Sequence, residues 1–166
     1  FSKKKIDFNK TKRHTFYIEK FKDNLIFVTK NGEFLKADLD ELTSKKKEIK
    51  TTKFLKKNLK QPNENELKIL DSLIIDDKIY LTKVAKKNNC EKLSVVYSEI
   101  NDVLDFKILK EFKECSKIGI GAGRIQEYNF NSLRGILLTT SDADKDTLDE
   151  SAQDENSIYG KIIFIL

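Results

Sequence analysis

Histidine and cysteine are scarce in this chain of 166 residues, which has one histidine, His14, and two cysteines, Cys90 and Cys115. Zinc sites draw several ligands from closely spaced cysteines and histidines, and serine-hydrolase triads need a histidine base, so neither site is expected. The cysteines show neither disulfide-framework nor metal-site spacing. We expect two unpaired buried thiols, with pairing left open if their strands are neighbours, and an ordinary surface or half-buried role for His14.

Methionine is absent, and so is any run of roughly 18 consecutive apolar residues, the length that a membrane-spanning helix needs. No transmembrane segment is therefore predicted. The chain starts at Phe1, contains no methionine and ends in the apolar run 162–166, and from these features we expect a fragment of a longer protein. No targeting signal is visible in the sequence.

Arginine is also scarce, although the formal net charge is +5 and the basic residues are concentrated in residues 1–60. Of the 32 basic residues, 29 are lysine and 3 are arginine. Proteins that recognise phosphates rely heavily on the planar fork of arginine. The composition therefore argues against a nucleic-acid partner.

Three β-branched and aromatic runs, residues 24–29, 78–82 and 136–140, each follow a polar or glycine turn and end in threonine. Their turns, at Asn24, Asp77 and Gly135, are 53 and 58 residues apart. Recurrence near fifty residues is typical of β-propeller blades, each of which is a four-stranded antiparallel sheet. The sequence therefore predicts an all-β fold, a partial propeller of about three blades that span approximately residues 14–60, 61–115 and 116–166.

Turn residues refine this prediction. Asn31-Gly32 indicates a tight hairpin turn, and Arg134-Gly135 indicates a turn ahead of the third run. Residues 41–60 are polar and rich in lysine, a pattern that also suits a short helix. We favour a strand over residues 49–54 because threonine prefers extended backbone.

Three motifs in the last third of the chain follow one another at blade-like distances. Residues 120–124 read Ile-Gly-Ala-Gly-Arg, residues 138–142 read Leu-Thr-Thr-Ser-Asp, and residues 152–162 begin Ala-Gln-Asp and end Gly-Lys-Ile. Together they resemble the soluble quinoprotein glucose/sorbosone dehydrogenases. In that family a His-x-Gly-Gly-Arg segment precedes a Thr-Gly-Asp strand end and an Ala-Gln-Asp…Gly-Lys-Ile segment.

The resemblance implies a six-bladed propeller that holds pyrroloquinoline quinone (PQQ) and calcium, and a periplasmic or extracellular location. It implies cofactor-binding roles for Arg124 and Asp142. The family histidine, which takes a proton from a sugar hydroxyl, corresponds to Ile120, and isoleucine cannot accept a proton. Ala143 stands where the family places a cofactor-contacting glutamine. We therefore expect no catalytic residue in the chain.

The acidic loop carries alternate carboxylates at Asp142, Asp144 and Asp146, as in the first half of a calcium loop. An EF-hand also needs glycine at the sixth and glutamate at the twelfth position, where this chain has Thr147 and Gln153. We therefore expect a looser calcium site or a solvated acidic loop.

Three functional hypotheses follow. The chain belongs to a catalytically degenerate propeller that binds a sugar or glycan or serves as a scaffold, with the remaining blades of the parent chain as its partners. Alternatively, the parent is an active quinoprotein sugar dehydrogenase whose base comes from elsewhere. The third hypothesis is a protein-interaction propeller that shares only the architecture.

Overall fold

The computed structural model describes residues 5–6, 16–45, 47–116, 120–141 and 152–166. Within these residues the chain forms fifteen strands and one short helix. Three antiparallel sheets follow one another along the chain, and the remaining strands form two short parallel pairs. None of the sheets closes on itself.

The first sheet is an antiparallel meander near the N-terminus. Its strands, in spatial order, are β2 (Phe16–Phe21), β3 (Asn24–Thr29), β4 (Phe34–Asp38) and β6 (Thr52–Lys53). The predicted strand over residues 24–29 is confirmed, as is the turn at Asn31-Gly32. Gly32 has a φ of 75°, which favours glycine, and an added Cβ would lie 2.7 Å from a methyl carbon of Leu59.

The segment after β4 contains both a short helix and short strands, the two structures considered for residues 41–60. A five-residue helix, α1 (Leu39–Thr43), begins where the Asp38 side chain accepts a hydrogen bond from the Asp40 N–H. Short extended pieces follow instead of one strand over 49–54: β5 (Glu48–Ile49), β6 and β7 (Leu55–Lys57). Here β1 (Lys5–Ile6) pairs in parallel with β5, and β7 pairs in parallel with β11 (Val103–Asp105).

The second sheet has the longest strands. Its spatial order is β8 (Glu66–Ile75), β9 (Lys78–Lys87), β10 (Cys90–Glu99) and β12 (Lys107–Glu111). The predicted strand over 78–82 is confirmed and extends to Lys87. Its turns use Asp76, Asn88 and Asn89 with φ of 54°, 49° and 58°, which asparagine and aspartate tolerate better than most residues.

The third sheet contains β13 (Gly123–Phe130), β14 (Leu133–Thr140) and β15 (Ile162–Ile165). The expected fourth strand is not among the described residues. The turn predicted at Arg134-Gly135 was wrong, because the chain turns at Asn131 and Ser132, with φ of 47° and 68°. Gly135 instead lies inside β14, where an added Cβ would be 2.4 Å from the carbonyl oxygen of Ile165.

The three sheets pack face to face in chain order. One apolar cluster fills the space between the first and second sheets, with Val28, Ile69 and Leu81 among its members. A second cluster fills the space between the second and third sheets and includes Val95 and Leu138. Both faces of the second sheet are therefore buried, so β9 is buried almost continuously from Ile79 to Ala85, with Thr82 and Lys83 included.

The expectation of unpaired thiols was wrong, because Cys90 and Cys115 form a disulfide with their Cα atoms 5.6 Å apart. Next to it, Glu91 and Ser116 exchange two backbone hydrogen bonds of 2.8 and 2.9 Å. This isolated antiparallel bridge places residue 115 beside the first residue of β10. The separation is within the ordinary range for a disulfide.

The all-β class and the antiparallel sheets are thus confirmed, whereas the arrangement of the sheets around an axis stays a prediction. Among the described residues, no helix is long or apolar enough to cross a membrane.

Candidate ligand-binding site

The first strands of the three sheets, β2, β8 and β13, lie beside one another in space. β8 contacts β2 on one side and β13 on the other. Each of the three is an edge strand of its own sheet in the described part of the chain. Side chains from both faces of β8 can therefore meet at the unpaired edge of this strand. The polar residues described next lie there.

Asp71 is the centre of this polar group. Its side chain is only 7% exposed in a strand that is otherwise largely apolar. The Asp71 Oδ2 atom accepts a hydrogen bond of 2.9 Å from the backbone N–H of Ile125 and lies 3.2 Å from the Nε of Arg124. The register of β8 shifts between Ile69 and Asp71, as in a β-bulge. Such a bulge re-aims side chains and here turns Asp71 toward the third sheet.

Ser72 points the other way, toward the first sheet, because successive side chains of a strand alternate between its faces. Its hydroxyl donates a hydrogen bond of 2.9 Å to Glu19 Oε1 on β2. Tyr17, also on β2, donates from its hydroxyl to the carbonyl oxygen of Ile69 at 3.1 Å. We call Tyr17, Glu19, Asp71, Ser72 and Arg124 the first-strand cluster.

Burial raises the pKa of Glu19, and the nearby charge of Asp71 raises it further. The hydrogen bond from Ser72 and the charge of Arg124 act in the opposite direction without cancelling the rise. Burial, with Asp71 as the next cause, also raises the pKa of Tyr17. The residues of the cluster thus influence one another electrostatically across all three strands.

Arg124 is the exposed member of the cluster, with 73% of its side chain accessible. Its Nε atom faces Asp71, while most of its side chain remains accessible to solvent. A half-buried carboxylate, a buried carboxylate and an exposed guanidinium therefore lie within one polar patch. Such a patch can accept and donate hydrogen bonds at fixed positions, as specific ligand sites do.

The structure places Ile120 in the apolar core between the second and third sheets, where it is 5% exposed. Its backbone N–H donates a hydrogen bond of 2.9 Å to Glu91 Oε2. The other oxygen of that carboxylate forms an ion pair of 2.7 Å with Lys68. Although burial favours the protonated acid, these hydrogen bonds and the Lys68 charge lower the pKa of Glu91.

The acidic-loop residues Asp142, Asp144 and Asp146 lie outside the described residues, as does His14, so the calcium prediction stays a prediction. Arg124, the other residue implied for cofactor binding, is described and forms an ion pair with Asp71. Among the residues that the structure describes, no group of three histidine, cysteine, aspartate or glutamate side chains is arranged to hold a metal ion.

Two described residues bear on the quinone-dependent oxidation of sugars that the resemblance implies. Ile120, which the resemblance aligns with the family base, is a core residue whose side chain cannot take a proton from a hydroxyl. Arg124, the described residue implied for cofactor binding, is held by Asp71. No catalytic step through PQQ is therefore derived from these residues.

Four of the five cluster residues were not predicted from the sequence; only Arg124 was. A signal for Asp71 and Ser72 is present, because they interrupt the apolar run over residues 69–75. A carboxylate in the middle of a buried strand needs a partner. Glu19 and Tyr17 carry no such signal, since an alternating strand normally exposes polar residues on one face.

Comparison with models of known protein families, with curated protein sequences and with solved structures gives no match to this chain.

Proposed function

We propose that the chain is a run of β-propeller blades whose first-strand cluster binds a hydroxyl-rich ligand of the sugar class. The observation that carries the proposal is the contact of β8 with β2 on one side and β13 on the other. In a propeller the first strand of every blade lines the central axis, and a ligand on that axis meets residues from several blades.

Sheet packing supports the propeller part of the proposal. Each sheet is a meander whose first strand is an edge strand, and successive sheets share an apolar interface. The third sheet also carries apolar side chains on its other face, where Phe130 is 57% and Phe164 38% exposed. Contiguous exposed apolar surface usually marks an interface, and in a propeller the next blade would cover this face.

The composition of the cluster supports a sugar rather than a phosphate. Two carboxylates stand against one guanidinium, so the described charges of the cluster sum to −1 when both acids are ionised. A phosphate would meet net repulsion there. Sugar hydroxyls can donate to Glu19 and Asp71 and accept from Arg124, and this pairing uses both kinds of group.

The disulfide between Cys90 and Cys115 supports the proposed location in the periplasm or outside the cell. Stable disulfides form in oxidising compartments and are rare in the cytosol of most organisms. Because Cys115 is exposed, cytosolic reductants would reach this disulfide readily.

A titration followed by amide chemical shifts tests the sugar proposal. Methyl glycosides of glucose, mannose and galactose should move the backbone amides of Glu19, Ser72 and Ile125 in a saturable way. Arg124→Gln should weaken this response about tenfold or more, because a hydrogen bond to a charged group is lost.

The matched control is Lys53→Gln. Lys53 is also exposed and also forms an ion pair with a carboxylate, Glu33, outside the cluster. This substitution should leave the chemical-shift changes at the amides of Glu19, Ser72 and Ile125 unchanged. Absence of any saturable shift at the three amides, with a folded protein and all three glycosides, would contradict the proposal.

The dehydrogenase alternative needs a base from outside the described residues. Adding PQQ and calcium to the chain, with an aldose and a redox dye, should give no dye reduction. Measurable dye reduction that depends on the aldose would favour the alternative over the binding role.

A further inference from the structure

A cavity lies between the second and third sheets, and no residue of the first-strand cluster lines it. It is open to solvent and has a volume of about 340 Å³, at the lower end of the range of small-molecule sites. The second sheet provides Lys78, Tyr80 and Tyr97, and the third sheet provides Arg134 and Ile136. We call this cavity the tyrosine groove.

An aromatic wall forms one side of the tyrosine groove. Tyr80 and Tyr97 are cross-strand partners on β9 and β10. Their rings stack with centroids 5.9 Å apart and planes at 27°. The opposite wall is aliphatic, formed by Ile136 and Ile165, which belong to the core between the two sheets. The groove therefore offers the outer surface of a stacked tyrosine pair on one side and aliphatic side chains on the other.

The rim of the tyrosine groove is charged but nearly balanced. Arg134 forms ion pairs with Asp76 at 3.0 Å and with Glu127 at 2.8 Å. The Lys78 ammonium lies 5.8 Å from the centroid of the Tyr97 ring, and its cross-strand partner is Glu99. A ligand with a net charge would meet an unfavourable partner at this rim, whereas a neutral ligand meets both donors and acceptors.

These features are complementary to a neutral ligand that has an apolar face and polar groups around its edge. A pyranose ring is neutral, has a flat C–H face that packs on aromatic rings, and carries its hydroxyl groups around its edge. An arene has the flat face but no polar edge, and an acyclic polyol has the hydroxyls but no flat face. We propose that the tyrosine groove is a binding site for a pyranose ring, which stacks on Tyr80 and Tyr97 and bonds the charged rim through its hydroxyls.

The assignment of a sugar ligand to the tyrosine groove rests on the proposed function, whereas the location of the groove does not. The same glycoside titration separates the two proposals, because they concern different amides. Shifts at Tyr80, Tyr97 and Ile136 without shifts at Ser72 and Ile125 would support the groove and contradict the first-strand site. The reverse pattern would support the first-strand site and overturn the groove.

Variants of Tyr97 give the specific test. Tyr97→Ala should weaken binding at the groove roughly fivefold to tenfold, because the ligand loses its stacking partner. Tyr97→Phe keeps the ring and should retain most of the binding. Tyr128→Ala is the matched control, since Tyr128 packs on Phe164 in the third sheet and does not line the groove.

Sorbitol and benzyl alcohol serve as control ligands. The proposal predicts saturable shifts with at least one of the three methyl glycosides and none with either control at the same concentration. Equal shifts with sorbitol would overturn it, as would no saturable response to any glycoside. A Tyr97→Ala protein that keeps its amide spectrum and binds as tightly as the original chain would overturn it as well.

Discussion

At the scale of single residues, each buried charge in the described part of the chain, on Asp71, Lys83 and Glu91, forms an ion pair with a residue from another part of the chain. Lys83 is the extreme case, with 1% of the residue exposed. Its ammonium donates to the carbonyl oxygen of Leu59 at 3.0 Å and to both carboxylate oxygens of Glu64 at 2.9 and 3.1 Å. One side chain thus fixes the connection between the first and second sheets.

Removing that ammonium leaves the Glu64 carboxylate, whose side chain is 11% exposed, without its cationic partner. Lys83→Met should therefore lower the free energy of unfolding by about 3 kcal/mol or more. Urea denaturation measures this change. The control is Lys87→Met at the exposed end of the same strand, with an effect below about 0.5 kcal/mol; equal effects of the two substitutions would contradict the assigned role.

Glu19, unlike Lys83, is a charged residue whose ionisation opposes folding, because burial raises its pKa in the folded protein. The folded state binds the proton of this acid more tightly than the unfolded state does. Its contribution to stability is fully present below the unfolded-state pKa and is lost as the pH rises through the folded-state pKa. At pH 7 the ionised side chain therefore costs stability.

Glu19→Gln keeps an oxygen that can accept the hydrogen bond from Ser72 and removes the charge. The variant should be more stable than the original chain at pH 7, and this advantage should disappear below about pH 4. Thermal unfolding across this pH range is the measurement. Glu111→Gln on exposed β12 is the control, and a Glu19→Gln protein that is less stable at pH 7 would show that the pKa is not raised.

At the scale of elements, Gly135 determines how β14 and β15 pack. An added Cβ would lie 2.4 Å from the Ile165 carbonyl oxygen and 2.6 Å from a ring carbon of Phe164. Contacts this short require the neighbouring strand to move. The close approach of the two strands therefore depends on a residue without a side chain.

Gly135→Ala should lower the free energy of unfolding by about 1–3 kcal/mol, as other overpacking substitutions do. Gly121→Ala is a suitable control, because its added Cβ would meet only Ser141 Oγ, at 3.7 Å. Chemical denaturation of both variants gives the comparison. If Gly135→Ala is no more destabilising than Gly121→Ala, the tight contact with β15 is not present in solution.

Local sequence predicts the strands of this protein better than it predicts the turns. Residues 24–29 and 78–82 were predicted from β-branched and aromatic residues, which favour extended backbone in most contexts. Gly135 was misassigned because a glycine signals either a turn or a close approach, and only the tertiary structure distinguishes them. The actual turn residues, Asn131 and Ser132, carry a weaker signal.

At the scale of the whole molecule, the order in which the sheets pack could not be predicted from residue patterns alone. The apolar runs indicated buried strands, but β9 is buried on both faces because sheets lie on either side of it. The disulfide was missed for the same reason, since Cys90 and Cys115 become neighbours through a β-bridge that has no local signature. The first-strand cluster also needs all three sheets.

Hydrogen-bond couplings across the sheets test the central claim, that β8 contacts the first sheet and β13 in chain order around one polar cluster. The N–H of Ile69 on β8 donates to the carbonyl of Lys30, in the turn after β3 of the first sheet, at 2.7 Å, and the N–H of Ile125 on β13 donates to Asp71 at 2.9 Å. In uniformly ¹⁵N- and ¹³C-labelled protein, long-range HNCO-type spectra should show a coupling for each bond, with slow hydrogen exchange at both amides. Rapid exchange at both amides with no detectable coupling would contradict the arrangement of the three sheets and the site built on it.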